Sequence, residues 1–424
     1  MMNKILSALT ENGINKYFVT EKKKSTAELF FIRRKLDLTR GEELCDYTVR
    51  VYKDFEKDGR ELTGMAEVKI ELGETGAQIS EKLRNAYDAC DYSGNPAFSF
   101  EAGIKSVKEG AGSGLSGMTV NEAALRFAEA LYRNDGDETR GFINSAEVFA
   151  QKTWTHIVGS NGCDVAFDAC SANGEFVAQC KIKEDVEMHH TFAYDDSDFD
   201  GLAAKVRDAL EVVVQRSVAE RVTPKGTRNV ILSDKSVETI MEYYSDRASA
   251  GMIYAGYSGF RKETDVMEGT TGDRVSMKLV AKEPFSDEGI PMSDRVLLDK
   301  GVLKTIQGAT RLCSYLGEKP TGVYRAAAVE CGATPYAEMK KDGVLQVVSF
   351  SDFQMDEMSG YFGGEIRLAF LYEGGKAVPV TGGSVNGNFI ELQKNMRLSS
   401  EKQKCSTFEG PKHILFENVP VNGE

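Results

Sequence analysis

Side chains able to hold a metal or attack a substrate are few in this 424-residue sequence, and their spacing limits what they can do together. Its four histidines, His156, His189, His190 and His413, include no H-E-x-x-H or H-x-x-x-H pattern, which restricts any histidine-based metal site. His189 and His190 are adjacent, so on a strand they face opposite sides and cannot chelate jointly. One is expected to be packed and the other exposed. The acidic run DDSDFD at 195–200 lacks the glycine and closing glutamate of an EF-hand loop and reads as a solvated turn before a helix. Eight cysteines, Cys45, Cys90, Cys163, Cys170, Cys180, Cys313, Cys331 and Cys405, contain no C-x-x-C pair. They read as reduced, mostly buried thiols, with the cytoplasm as the expected compartment. No G-x-S-x-G or P-loop occurs, and GSGLSG at 112–117 is merely rich in Gly and Ser.

One helix-like stretch carries acidic groups beside an apolar stripe. Val237, Ile240, Met241 and Tyr244 fall at i, i+3, i+4 and i+7, the spacing of a single buried face. On that pattern Met241 packs in a core, while Glu242 and Asp246 are solvated flanks. A short apolar strand at 230–232 leads into the helix, with Ser233 or Asp234 as its N-cap.

The elements that must position these residues divide the chain into two. The expected fold class is α+β: an N-terminal domain over 1–200, with an antiparallel sheet and covering helices, then a strand-rich domain over 201–424 with mixed and antiparallel sheets. Strand-like runs at 28–33, 46–52 and 63–71 are separated by turns such as KDGR at 57–60. Helical spacing marks an amphipathic N-terminal segment, 79–90, 121–133 and 201–217. The stretch GAGSGLSG at 110–117 reads as a flexible linker. Between 144 and 194 the alternation of Cys163, Val165 and Phe167, then Phe176, Ala178 and Cys180, suggests hairpins turning at SNG (160–162) and at ANGE (172–175). Glycine-marked turns follow at DKG, EGG and TGG between further strands.

Bulk composition excludes several function classes. With 52 basic and 65 acidic residues the net charge is −13, and no basic face is concentrated enough for nucleic acid. No apolar run is long enough for a membrane span or signal peptide.

Two C-terminal blocks carry a family resemblance: FSDEGIPMSDRVLLDKGVLKTIQGATRLCSYLGEKPTGVYRA at 285–326 and YFGGEIRLAFLYEGGKAVPVTGGSVNGNFIEL at 361–392. The chain resembles the TldD/PmbA family, described as modulators of DNA gyrase and as zinc metallopeptidases. Its most recognisable block is matched by Phe285, Asp287, Glu288, Gly289, Gly301, Val302, Leu303, Leu316, Gly317, Thr321, Gly322 and Arg325, with Val323 where the family has Asn. A weaker N-terminal match includes Val49, Arg50, Val51, Asp58, Gly59, Arg60 and Gly64.

In TldD-type members of that family a helix after an apolar strand carries His-Glu-x-x-x-His, and a distant cysteine supplies the third zinc ligand. Aligning on Ser258, Gly259 and Phe260 puts Met241, Glu242 and Asp246 on the His, Glu and His positions, and Cys405 near that of the cysteine. Zinc in a hydrolase needs three strong ligands and an open position, whereas a thioether is a soft, weak ligand suited to Cu(I). The resemblance therefore implies a PmbA/TldE-like chain with no zinc site or catalysis of its own, Glu242 being a relict and Met241, Asp246 and Cys405 degenerate ligand positions. It further implies a TldD-type paralogue holding the zinc in a heterodimer, or else a homodimer, and unfolded or extended peptides as substrates. A direct role for gyrase has no support in the acidic balance. A strand near 365–371 is expected to offer an open edge to such peptides. Two alternatives remain: a peptidase active in its own right through Asp246 and Cys405, and a freestanding homodimeric binding protein.

Overall fold

The computed structural model describes residues 1–110 and 113–423. Its N-terminal half is built on one sheet, in the order Asn95–Pro96, Arg60–Ile70, Lys35–Lys57, Tyr17–Ile32, Phe142–Gly159 and Asp164–Lys181. Beyond the last of these, Lys105–Glu109 pairs with its first part in parallel and Asp185–Tyr194 with its second part antiparallel. The KDGR turn lies between Lys57 and Arg60, with Asp58 and Gly59 both at positive φ, as a two-residue hairpin turn requires.

Alternation along the strands gives this sheet two buried faces. Val19, Val49 and Val51 lie under helices Met2–Glu11 and Gly76–Ala89, whose Ile5, Leu9, Ile79 and Leu83 complete a cluster. Ala27, Leu29, Val148 and Phe176 lie under Val120–Tyr132 and Phe199–Val218. Capping boxes at Thr75 with Gln78 and at Thr119 with Glu122 start two of these helices. Phe199–Val218 straddles the expected boundary at 200/201, and its Leu202, Val206 and Leu210 join the N-terminal core. Phe18, Tyr52 and Phe167 occupy the opposite sheet face, where Phe285 from the C-terminal half is buried among them.

The C-terminal half packs two further sheets around one core. In the first, Leu345–Met355, Gly226–Ser233, His413–Asn422, Ser384–Asn388 and Tyr361–Glu373 pair in turn, and the last pairs back to the first, closing a five-strand ring. The second runs Val302–Leu303, Arg295–Asp299, Met277–Val280, Ala326–Val329, Phe408–Pro411 and Lys402–Lys404. Parallel pairs, such as Val230 with Leu345 and Ala327 with Phe408, make the sheets mixed. The expected α+β class is the observed one. Ion pairs join the halves: Asp195 to Lys282 at 2.5 Å, Asp196 to Lys404 at 2.6 Å and Arg50 to Asp287 at 3.0 Å.

Two local expectations are corrected. ANGE is not a turn, because Asp164–Lys181 runs straight through it. A Cβ on Gly174 would lie 2.0 Å from the Glu147 carbonyl and 2.7 Å from the Phe192 ring, so this glycine permits close packing and does not bend the chain. Tyr361–Glu373 is not an edge strand, since it is flanked on one side by Leu345–Met355 and on the other by Lys376–Thr381 and Ser384–Asn388. In the expected linker, Ser113–Ser116 is a short helix, and residues 111 and 112 lie outside the described residues. Among the described residues no helix is long and apolar enough to cross a membrane.

Candidate functional site

The strand Gly226–Ser233 delivers the chain to Asp234, which takes φ +55 as the N-cap residue without a side-chain capping bond. Ser233 is held before it by contacts to His413 Nδ1 at 2.9 Å and Gln346 Nε2 at 3.1 Å. From there Lys235–Arg247 forms a helix along the C-terminal core. Its end is fixed by Ser258, whose hydroxyl donates to the Arg247 carbonyl at 2.6 Å and accepts from the Phe260 amide.

The apolar stripe is fully sequestered: Val237, Ile240, Met241 and Tyr244 are each 0% exposed. Tyr244 donates to Gln393 Oε1 at 2.6 Å, and Tyr243 and Tyr244 both meet the Phe389 ring edge to face. Met241 is thus a core residue, and its thioether faces no cleft. Glu242 is exposed. Asp246 is half-buried, and burial together with nearby Glu357 pushes its carboxyl up to about 6.

Cys405 meets the other end of the helix. Its Sγ lies 3.8 Å from Glu238 Oε2 and 3.4 Å from Thr407 Oγ1. Glu238 is 5% exposed, pairs with Lys235 Nζ at 3.0 Å and accepts a hydrogen bond from the Thr407 hydroxyl. These groups line a cavity of about 370 Å³ between the helix and the N-terminal sheet, which contributes Asn173 and Phe192. Sequence reasoning missed Glu238, Lys235 and Thr407. The available signal was Lys235 three residues before Glu238, on one helix face.

A catalytic zinc does not fit these residues. Met241 faces the core, and Asp246 lies eight residues beyond Glu238, about 12 Å along the axis of a regular helix. The carboxylate and thiol that do meet have the Lys235 ammonium as a neighbour, which opposes a bound cation electrostatically. Among the described residues, no three or more His, Cys, Asp or Glu side chains are grouped to hold a metal ion. The helix therefore gathers neither Met241, Asp246 and Cys405 nor Glu242 into one place.

The motif block supports this helix from outside. Glu288 accepts from the Thr310 amide and hydroxyl at 2.9 and 2.7 Å, capping the helix Thr310–Tyr315. Gly289 sits where a Cβ would lie 2.1 Å from Cys163 Sγ. Thr321 accepts from the Gly308 amide, and Gln307 donates to the Ser245 carbonyl of the central helix. These residues hold loops in place.

Residues 225–423, the C-terminal sheets with their central helix, match the model of the PmbA/TldA metallopeptidase C-terminal domain. Over this C-terminal half the chain is similar to the TldD/PmbA family. A 153-residue segment is 25% identical to the metalloprotease TldD homolog of Buchnera aphidicola, covering 32% of each chain, so the match spans about a third of that relative's length. The whole fold is similar to that of TldE from Thermococcus kodakarensis, with a TM-score of 0.77 at 15% identity over 100% of both chains. It is also similar to a Thermotoga maritima protein named as a candidate modulator of a DNA gyrase, with a TM-score of 0.76 at 17% identity over 99% of both. That match makes the C-terminal half metallopeptidase-like.

Proposed function

We propose that this chain is a PmbA/TldE-type member without a catalytic zinc of its own, acting as partner to a TldD-type zinc metallopeptidase. In this reading the partner holds the metal, and this chain helps to enclose extended peptides in the cytoplasm. The observation that carries the reading is the position of Met241, wholly inside the core where the family's ligand position is expected. A zinc-bound water is what gives a neighbouring glutamate a proton to take, and Glu242 has no such partner to act on. The similarity to TldE supports the same reading at the level of fold.

The test is metal content and peptide hydrolysis on the purified chain, alone and after mixing with a paralogue that retains His-Glu-x-x-x-His. The expected result is no stoichiometric zinc and no hydrolysis alone, with hydrolysis appearing in the mixture. Stoichiometric zinc lost on Cys405→Ala, together with hydrolysis by the chain alone, would overturn this reading in favour of a peptidase active in its own right.

A further inference from the structure

Four charged side chains line the cavity between the central helix and the N-terminal sheet: Glu175, Lys205, Lys235 and Glu238. Lys235 pairs with Glu238 at 3.0 Å, and the exposed Glu175 meets the His189 ring at 3.1 Å. Lys205 of the helix Phe199–Val218 is left over, with no ion pair or hydrogen bond among the described residues. Its side chain is reached by solvent and yet closely surrounded by protein, a desolvation that lowers its pKa, opposed by Cys405, Asp234 and Glu238 and reinforced by Lys235. An arriving anion would relieve that penalty. A backbone donor stands in the same cavity. The carbonyls of Glu187 and Ala193 point away from Asp164–Lys181, since they accept from Arg367 and from the Ser406 amide. Thr191 lies between them at the same parity, so antiparallel alternation turns its amide outward as well, and no other described residue takes it.

We infer that this cavity receives the free carboxylate at the C-terminal end of an extended peptide, held by the Lys205 ammonium and the Thr191 amide. A carboxylate offers two oxygens and one charge, which match one unpaired ammonium and one open N–H, and hydrogen bonds to an ionised group are the strong kind. A phosphate dianion fits less well. Its second charge would find no unpaired cation and would be repelled by Glu238 and Glu175. Phe149, Phe192 and Ala193 supply an apolar wall beside these donors, suited to the last side chain of the peptide. The inference rests on the proposed role of this chain in enclosing extended peptides, and it deepens that role by naming the end of the peptide that is held.

The experiment is fluorescence anisotropy of a short unstructured peptide, labelled at its N-terminus and ending in leucine, with the purified full chain at low salt and with a chelator present. The peptide is made as the free acid and as the C-terminal amide. The acid is expected to bind about tenfold more tightly than the amide. Lys205→Met is expected to erase that difference, and Lys205→Arg to keep it. On the unsubstituted chain, acetate is expected to displace the acid and to leave the amide in place, a measurement that needs no folded variant. Equal affinity for acid and amide, a preference that survives Lys205→Met, or inorganic phosphate competing more strongly than acetate would overturn the carboxylate site. Failure of both peptides to bind would overturn it too. The chelator removes any contribution from zinc, so these outcomes are separate from the metal and hydrolysis results on which the proposed function stands, and equal binding of both peptides would leave that function untouched.

Discussion

The hydroxyl of Thr407 donates to the buried carboxylate of Glu238, and this bond fixes the Cys405 loop against the first turn of the central helix. The contact joins the strand pair at 402–411 to a helix about 170 residues earlier in the chain. It accounts for the position of Cys405 without any metal.

Glu238→Ala is therefore expected to destabilise the fold by about 1–3 kcal/mol, because it removes a buried acceptor from Thr407 and Lys235. Cys405→Ala is expected to change stability by under about 1 kcal/mol, since its thiol makes only weak contacts. Urea denaturation of both variants checks the difference.

Restoring histidines should not restore zinc. Met241→His with Asp246→His is expected to take up no more metal than the unsubstituted chain and to lose about 2–4 kcal/mol, since an imidazole at 241 enters an apolar core without a partner. Metal analysis and thermal melting decide this together. Met241→Ala, which only opens a cavity, is expected to cost about 2–4 kcal/mol.

Acid should act through two histidines. Burial holds His190 and His413 down to about 4, with Lys205 and Lys412 respectively adding to the effect. The unfolded chain therefore binds protons more readily than the folded one between about 4 and the ordinary value of 6.5. Their stabilisation is complete above pH 6.5 and is lost as pH falls towards 4. Asp246 runs the other way: its carboxyl, raised from 3.8 to about 6, favours the folded state as pH falls through 6. Asp246→Asn should thus stabilise the chain at pH 7 and give no gain below pH 3.8. Stability curves against pH, with the histidine ring protons followed by NMR, test both directions.

Gly174→Val is expected to cost about 3 kcal/mol or more, because the new side chain collides with the Glu147 carbonyl and the Phe192 ring. Had Gly174 marked a turn, the same substitution would have been mild. Thermal melting of this one variant separates the two roles.

That glycine illustrates what was legible in the sequence. Helices with a clean apolar stripe, such as Gly76–Ala89 and Val120–Tyr132, were readable because their faces repeat every turn. The burial of Met241 was legible in the same way. Asn173 and Gly174 imitate a hairpin, and only the approach of Phe192 from a neighbouring strand explains them. Glu238 was hidden because an acidic residue in a first helical turn reads as solvated, and its partners Thr407 and Cys405 arrive from the far end of the chain. The outward amide of Thr191 could not be read locally, since whether a strand has one neighbour or two is a property of the whole sheet.

The placement of Phe285 among Phe18, Tyr52 and Phe167 has a bearing on dissection of the gene. A fragment ending before the C-terminal half would leave that aromatic nest without its plug, and a fragment starting after the N-terminal half would send Phe285 into water. Severing the chain between its halves is therefore expected to leave an uncovered apolar patch on each remnant.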